Sequence, residues 1–162
     1  MADDGGLSSF QRRMRAIPEA ARKAVQPALL REANKIADTM RLLAPVDEGD
    51  LKKSIAVTGP GQATPPYSQP GGAMVAPELT AVITAGNAEV RYAHLVEFGA
   101  APHDVSKGAA TVEGRIRAVF KGGTQHPGAP AQPFFWPGFR VHRKKTLAAI
   151  KRAIGKAIRE AK

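Results

Sequence analysis

Apolar residues recur at helical spacing early in the chain. From Glu19 onward, Val25, Leu29, Ala33, Ile36, Met40 and Leu43 fall every three or four positions, with Arg31, Lys35 and Asp38 off that line. The spacing predicts a long amphipathic helix. Pro27 lies inside it and predicts either a kink near Lys23 or a helix that begins there, and Pro45 ends it. Ahead of it, Ser8 or Ser9 can cap a shorter helix over 10–17, which Pro18 interrupts or follows with the next. Residues 1–8 read as a disordered terminus and residues 9–162 as one domain.

Period two takes over beyond Pro45. The run Ala44-Pro45-Val46-Asp47-Glu48-Gly49-Asp50-Leu51-Lys52-Lys53-Ser54-Ile55 reads as a turn and a short helical segment, with Asp47 or Asp50 capping and Gly49 easing the backbone. A strand begins within 54–58, and Leu79, Ala81, Ile83 and Ala85 alternate with Thr80, Val82 and Thr84 as a second. Between them, residues 59–77 are rich in proline and glycine, carry no Lys, Arg, Asp or Glu, and hold Tyr67 as their one aromatic. This composition predicts a long surface loop, either disordered or reaching a neighbouring subunit or a channel.

The stretch Val90-Arg91-Tyr92-Ala93-His94-Leu95-Val96-Glu97-Phe98-Gly99 predicts a helix of about two turns, capped by Asn87 and closed by Gly99. Tyr92, Leu95 and Val96 would form its buried side, and Arg91, His94 and Glu97 an exposed polar line. Residues 100–111 read as an irregular connection. Ile116, Ala118 and Phe120, alternating with Arg115, Arg117 and Lys121, predict a strand with a basic outer face, and residues 121–124 turn out of it.

Residues 126–139 hold prolines 127, 130, 133 and 137, so the sequence predicts an extended strap. Phe134, Phe135, Trp136 and Phe139 either pin that strap to the domain or bury against another subunit. From Val141 a last helix follows, with Leu147, Ile150, Ile154, Ala157 and Ile158 on one face and basic residues around the rest. The elements together predict an α+β fold: a small antiparallel sheet packed by a long helix in the N-terminal half and a C-terminal helix, with long Gly/Pro-rich loops.

Three of these blocks, 44–55, 90–99 and 126–134, taken in that order, resemble the small neck or tail-completion proteins of tailed bacteriophages, often labelled simply tail components. That family's usual turn reads threonine-glycine-asparagine where this chain has Glu48-Gly49-Asp50, and a threonine often follows the glycine where this chain has Ala100. Both differences fall at turn positions and bear on local capping. The resemblance implies helices packed on a small antiparallel sheet and a structural virion protein without catalytic residues. It also implies a ring at the head–tail junction around the DNA exit channel, a hexamer being favoured over a dodecamer. Implied neighbours are an adaptor or head-closure protein and a tail terminator or tail tube, with DNA passing through without sequence specificity. Tyr67, Glu97, His126, Phe134, Phe135, Trp136 and Phe139 are the candidates for subunit interface or channel. Assembly in the bacterial host cytoplasm is expected.

Composition sharpens this picture. Cysteine is absent, which removes thiolate nucleophiles, disulfides and cysteine-based zinc sites. No apolar run approaches a membrane span, and the acidic start is unlike a signal peptide, so neither export nor insertion is expected. The formal charge of +10 is concentrated from Arg140 onward, where nine basic residues face Glu160 alone. That face is either solvated or meets DNA or an acidic partner, and the rival to a ring protein is a basic nucleic-acid-binding module. Because a basic lumen would grip passing phosphates, the basic face is expected to point away from a channel, leaving the uncharged 59–77 loop as the better channel or inter-ring contact. No phosphate-binding glycine loop, zinc-protease pair or nucleophile elbow is present. His94-x-x-Glu97, extended by His103 and His126, is the nearest approach to a metal or catalytic set, and such sites need a second matching unit. No enzyme activity, cofactor or metal is expected.

Overall fold

The computed structural model describes residues 19–104, 109–112, 115–118 and 125–160. The periodic stretch forms α1 (Glu19–Leu43), with Val25, Leu29, Ala33, Ile36 and Met40 buried together with Ala28 and Ala37. Pro27 does not start the helix, which is continuous from Glu19 through it. One proline costs roughly 3 kcal/mol, and burial of Val25, Ala28 and Leu29 on either side offsets it. Leu43, expected on the core face, is half exposed: the chain turns away there, and Ala44, bonded back to the Met40 carbonyl, closes the core instead.

A one-turn helix, α2 (Asp50–Lys53), follows. Neither Asp47 nor Asp50 caps it. Gly49, at φ 86°, occupies the cap position without a side-chain bond, and Asp50 is held by Lys53 at 2.9 Å. Strands β1 (Ala56–Thr58) and β2 (Val82–Thr84) then pair antiparallel, with Val57 opposite Ile83. β2 is shorter than the alternation over 79–85 suggests because Leu79 takes φ 61° and breaks the extended run. Its side chain packs instead, with Ala81, against Val25 and Leu29.

Residues 59–77 form neither helix nor strand, yet the loop folds on itself. Ala63 bridges Val75, the Thr64 amide donates to the Met74 carbonyl, and the Thr64 hydroxyl accepts from the Met74 amide. Its far end returns to the sheet through a Gln69–Ala85 bridge. Backbone groups that proline and glycine leave unpaired locally are thus paired across the loop.

The central helix, α3 (Ala93–Phe98), is shorter than two turns. Asn87 caps the turn before it, accepting from the amides of Glu89 and Val90, because α3 begins only after that turn is complete. Beyond α3, β3 (His103–Asp104) pairs antiparallel with β6 (Gln125–His126), and β4 (Ala109–Val112) with β5 (Arg115–Ala118). The connection over 100–111 therefore holds strand where irregular chain was expected. The strand at Ile116 and Ala118 is present, while Phe120, the 121–124 turn, the 10–17 helix and the 1–8 terminus lie outside the described residues.

The largest correction concerns the last helix, α4 (Phe135–Glu160), which begins six residues before Val141 and takes in Trp136, Pro137, Gly138 and Phe139. A proline in the first turn gives up an amide that has no intrahelical partner there anyway, so Pro137 is compatible with a helix start. α4 runs antiparallel to α1. Gly138 lies against Met40 near one end, and Ala157 packs with Val25 and Leu29 near the other. A Cβ on Gly138 would come within 2.7 Å of the Met40 Cγ and 3.2 Å of its amide nitrogen, so the absent side chain is what lets the two backbones approach. At the Gly138–Met40 end, Thr39 Oγ1 and His142 Nε2 also share a hydrogen bond at 2.7 Å. On α4's apolar face Ile150 and Ile154 are half-buried and Ala157 is buried, but Leu147 and Ile158 are exposed. The result is an α+β fold: a small two-stranded antiparallel sheet packed against a long helix and a C-terminal helix. Among the described residues no helix is long and apolar enough to cross a membrane.

Candidate interaction surface

The sequence places an acid at 97 on a short helix and four prolines just ahead of, and inside, the start of α4. The fold brings these together. Glu97 is 6% exposed, not part of a wet line. Its Oε2 accepts from the amides of Phe134 (2.7 Å) and Phe135 (2.8 Å), and its Oε1 from the amide of Trp136 (3.1 Å). The first amides of a helix lack intrahelical acceptors, and a carboxylate there also meets the positive end of the helix dipole. Gln132 and Pro133 precede α4 and supply no usual capping side chain, so the cap comes from another element. That missing local cap is the signal by which Glu97 could have been found.

The strap between β6 and α4 is stitched to the same helix. Ala100 and Ala129 exchange two backbone bonds of 2.9 Å, and the Gln132 amide donates to the Val96 carbonyl at 2.8 Å. Gly99 makes this approach possible. It sits at φ 77°, ψ 176°, a region side chains avoid, and a Cβ would stand 2.8 Å from the Ala129 carbonyl oxygen.

With Ala93 and Glu97 turned inward, Leu95 and Phe98 of α3 turn outward. Tyr92 and Leu95 are half exposed, against the expectation, and Phe98 is 68% exposed, whereas Val96 packs on the core and Arg91 and His94 are exposed as expected. The departure follows from the cap: three amides that must be satisfied hold Glu97 inside, and the helix is rotated to suit. Phe134 is fully buried in the main core, Phe135 packs at its edge, and Trp136 and Phe139 are more than one-third exposed. Phe134, Phe135, Trp136 and Phe139 meet edge to face in succession, with centroids 5.6 to 6.4 Å apart. The strap aromatics therefore divide between pinning and display.

Between Phe98 and Trp136 opens an apolar pocket of about 140 Å³, lined also by Pro70, Ala85, His94 and Phe135. The 59–77 loop forms its margin. Tyr67, half exposed at φ 61°, lies under the Arg91 guanidinium, 3.9 Å from ring centroid to Cζ. His126 stands apart, stacked on His103 across the β3–β6 ladder with centroids 5.0 Å apart. Glu97, Phe134, Phe135 and Trp136 thus line one pocket, with Phe139 next to Trp136; Tyr67 lines a separate concavity that shares Gln69 and His94 with it, and His126 lines neither. Phe98, which sequence reasoning did not single out, lines the pocket too, and Tyr92 and Leu95 are exposed on the same stretch of chain.

Both Glu97 oxygens are engaged by backbone amides, which leaves His94-x-x-Glu97 without a free carboxylate to offer a metal or a proton. Among the described residues no three of His, Asp and Glu converge. An apolar pocket rimmed by exposed aromatic residues is suited to seating an apolar side chain of another protein.

The family described as "Bacteriophage HK97-gp10, putative tail-component" matches residues 8–99, more than half of the chain. The match spans α1, the β1–β2 sheet and α3 and ends at Gly99, so the 44–55 and 90–99 blocks lie inside it and the 126–134 block outside. No curated protein and no solved structure matches the chain. The protein therefore belongs to the HK97-gp10-like family of bacteriophage tail components.

Proposed function

We propose that this tail component is a structural protein of the virion neck, forming a homo-oligomeric ring at the head–tail junction around the DNA exit channel, with a hexamer favoured over a dodecamer. Membership of the family implies a place in the virion and contact with other virion proteins. The ring, the neck position and the non-enzymatic role are our reading. Its neighbours would be an adaptor or head-closure protein on one side and a tail terminator or tail tube on the other.

One observation carries it: Phe98 and Trp136 stand more than one-third exposed at the mouth of an apolar pocket, with Tyr92 and Leu95 also half exposed on the same stretch of chain as Phe98. Soluble monomers rarely leave such patches uncovered. Burying Phe98 at a subunit contact is worth about 2 kcal/mol, or roughly thirtyfold in association. Native mass spectrometry of the purified protein tests this. The wild type should give a closed oligomer and Phe98→Ser should shift it toward monomer, whereas a wild-type monomer at every concentration would refute the ring.

The rival reading, a nucleic-acid-binding module, is favoured by the eight Lys and Arg residues of α4. It requires duplex binding by the monomer that falls steeply with salt. A gel-shift series across salt separates the two.

A further inference from the structure

Two concavities adjoin at α3. The apolar pocket, about 140 Å³, opens between Phe98 and Trp136, and a larger one, about 570 Å³, lies between Tyr67 and Arg91; Gln69 and His94 line both. An apolar cavity of about 150 Å³ holds a benzene, so the first has room for one apolar side chain. In the second, the Arg91 guanidinium lies over the Tyr67 ring at 3.9 Å and, among the described residues, donates no hydrogen bond and makes no ion pair. The ring holds the guanidinium in place but leaves its charge without a carboxylate. The one acid lining either concavity, Glu97, is committed to the three amides at the start of α4. An apolar socket thus stands beside an unpaired cation.

The turn after α1 carries the complement. Val46 is 66% exposed, and next to it Asp47 is exposed with a carboxylate that makes no ion pair among the described residues, whereas Asp38 and Asp50 are bridged to Arg41 and Lys53. Among the described residues no other exposed large apolar side chain has an exposed acid beside it in sequence. Neither residue lines either concavity of its own molecule, so the step is open to a second one.

We infer that the Val46–Asp47 step of one copy docks at the double concavity of the next, with Val46 in the apolar pocket and the Asp47 carboxylate on the Arg91 guanidinium. The planar fork of an arginine matches a carboxylate in shape as well as in charge. Two different patches joined head to tail make a heterologous contact, which closes into a ring when the rotation allows. The inference rests on the ring reading above and specifies its contact. A DNA backbone fits less well: its phosphates would satisfy Arg91 but bring no apolar side chain to the pocket beside it.

The test uses the full-length chain, with assembly followed by native mass spectrometry over a concentration series. Asp47→Arg and, separately, Arg91→Glu should each weaken assembly by roughly tenfold or more, since like charges then face each other across the contact. Val46→Ser should weaken it by about tenfold through lost apolar burial. Val46 and Asp47 are exposed in the single chain, so changing them leaves its fold intact. Mixing Asp47→Arg with Arg91→Glu in equal amounts should restore the oligomer, because every mixed contact is again complementary. Both reversals in one chain should restore it as well, which shows that neither reversed protein had lost assembly through misfolding. Assembly of Asp47→Arg or Val46→Ser at wild-type strength, or no recovery on mixing, would overturn the docking while leaving a ring built on other contacts. A wild-type protein that stays monomeric would overturn both. Loss of salt-sensitive duplex binding in Arg91→Glu with assembly intact would assign Arg91 to phosphates and overturn the docking.

Discussion

Removing the Glu97 carboxylate should be among the most destabilising single changes in the chain, although sequence alone places it on an exposed face. In Glu97→Ala three amides at the start of α4 lose their acceptor. Loss of an ordinary helix cap costs about 1 to 2 kcal/mol. The Phe134 amide is buried and would be left without a partner, which adds about 1 to 3 kcal/mol. These overlap, so roughly 3 to 4 kcal/mol is expected against a total stability of about 5 to 15 kcal/mol. Glu97→Gln keeps one oxygen acceptor but loses the charge and one acceptor, and should cost about half as much. Equilibrium urea unfolding followed by circular dichroism reads this directly: the midpoint should fall for both variants, more for Ala, with the slope unchanged. A shift within about 0.5 kcal/mol for Glu97→Ala, the size of an exposed-surface change, would refute the cap.

Gly99→Ala should destabilise by more than about 1 kcal/mol, because φ is 77° and the new Cβ would crowd the Ala129 carbonyl; thermal melts would show it, and an unchanged melt would mean that the strap does not lie against α3. The hydrogen bond from Lys35, helped by Arg31, holds the Glu32 carboxyl below its ordinary 4.5, so its contribution is complete above that value and is lost as pH falls through the lower folded-state value. Lys35 and Arg31 are more than half exposed, so the contribution is only about 0.5 kcal/mol; Glu32→Gln should remove that part of the acid-side decline in a stability profile against pH. Thr84 is fully buried and its hydroxyl has no hydrogen-bond partner among the described residues, so Thr84→Val should leave the urea midpoint unchanged or raise it.

The parts of this fold that were readable from sequence are those decided by neighbours along the chain. α1 follows from the spacing of Val25, Leu29, Ala33, Ile36 and Met40, and β1 and β2 from alternation. What misled was decided by partners far away in sequence. Arg91, His94 and Glu97 look like an exposed line because polar residues three apart usually are, but the partners of Glu97 lie 37 to 39 residues further on. Once Glu97 is drawn inward, Leu95 and Phe98 must face out, and periodicity cannot reveal a helix whose rotation is fixed by a cap. The start of α4 was hidden for a related reason. Pro137 and Gly138 read as helix breakers, whereas here one occupies the first turn, where proline is tolerated, and the other makes room for Met40. The aromatic character of 134–139 was visible from the start, but its division into a buried Phe134 and a displayed Trp136 required the fold.

The most direct test of the central claim is electron microscopy of particles made by a phage from which only this protein is missing, with the gene supplied in trans as control. The account predicts filled or emptied heads and separate tails that fail to join, with joining restored by the wild-type protein. Normally joined, infectious particles in its absence would contradict it.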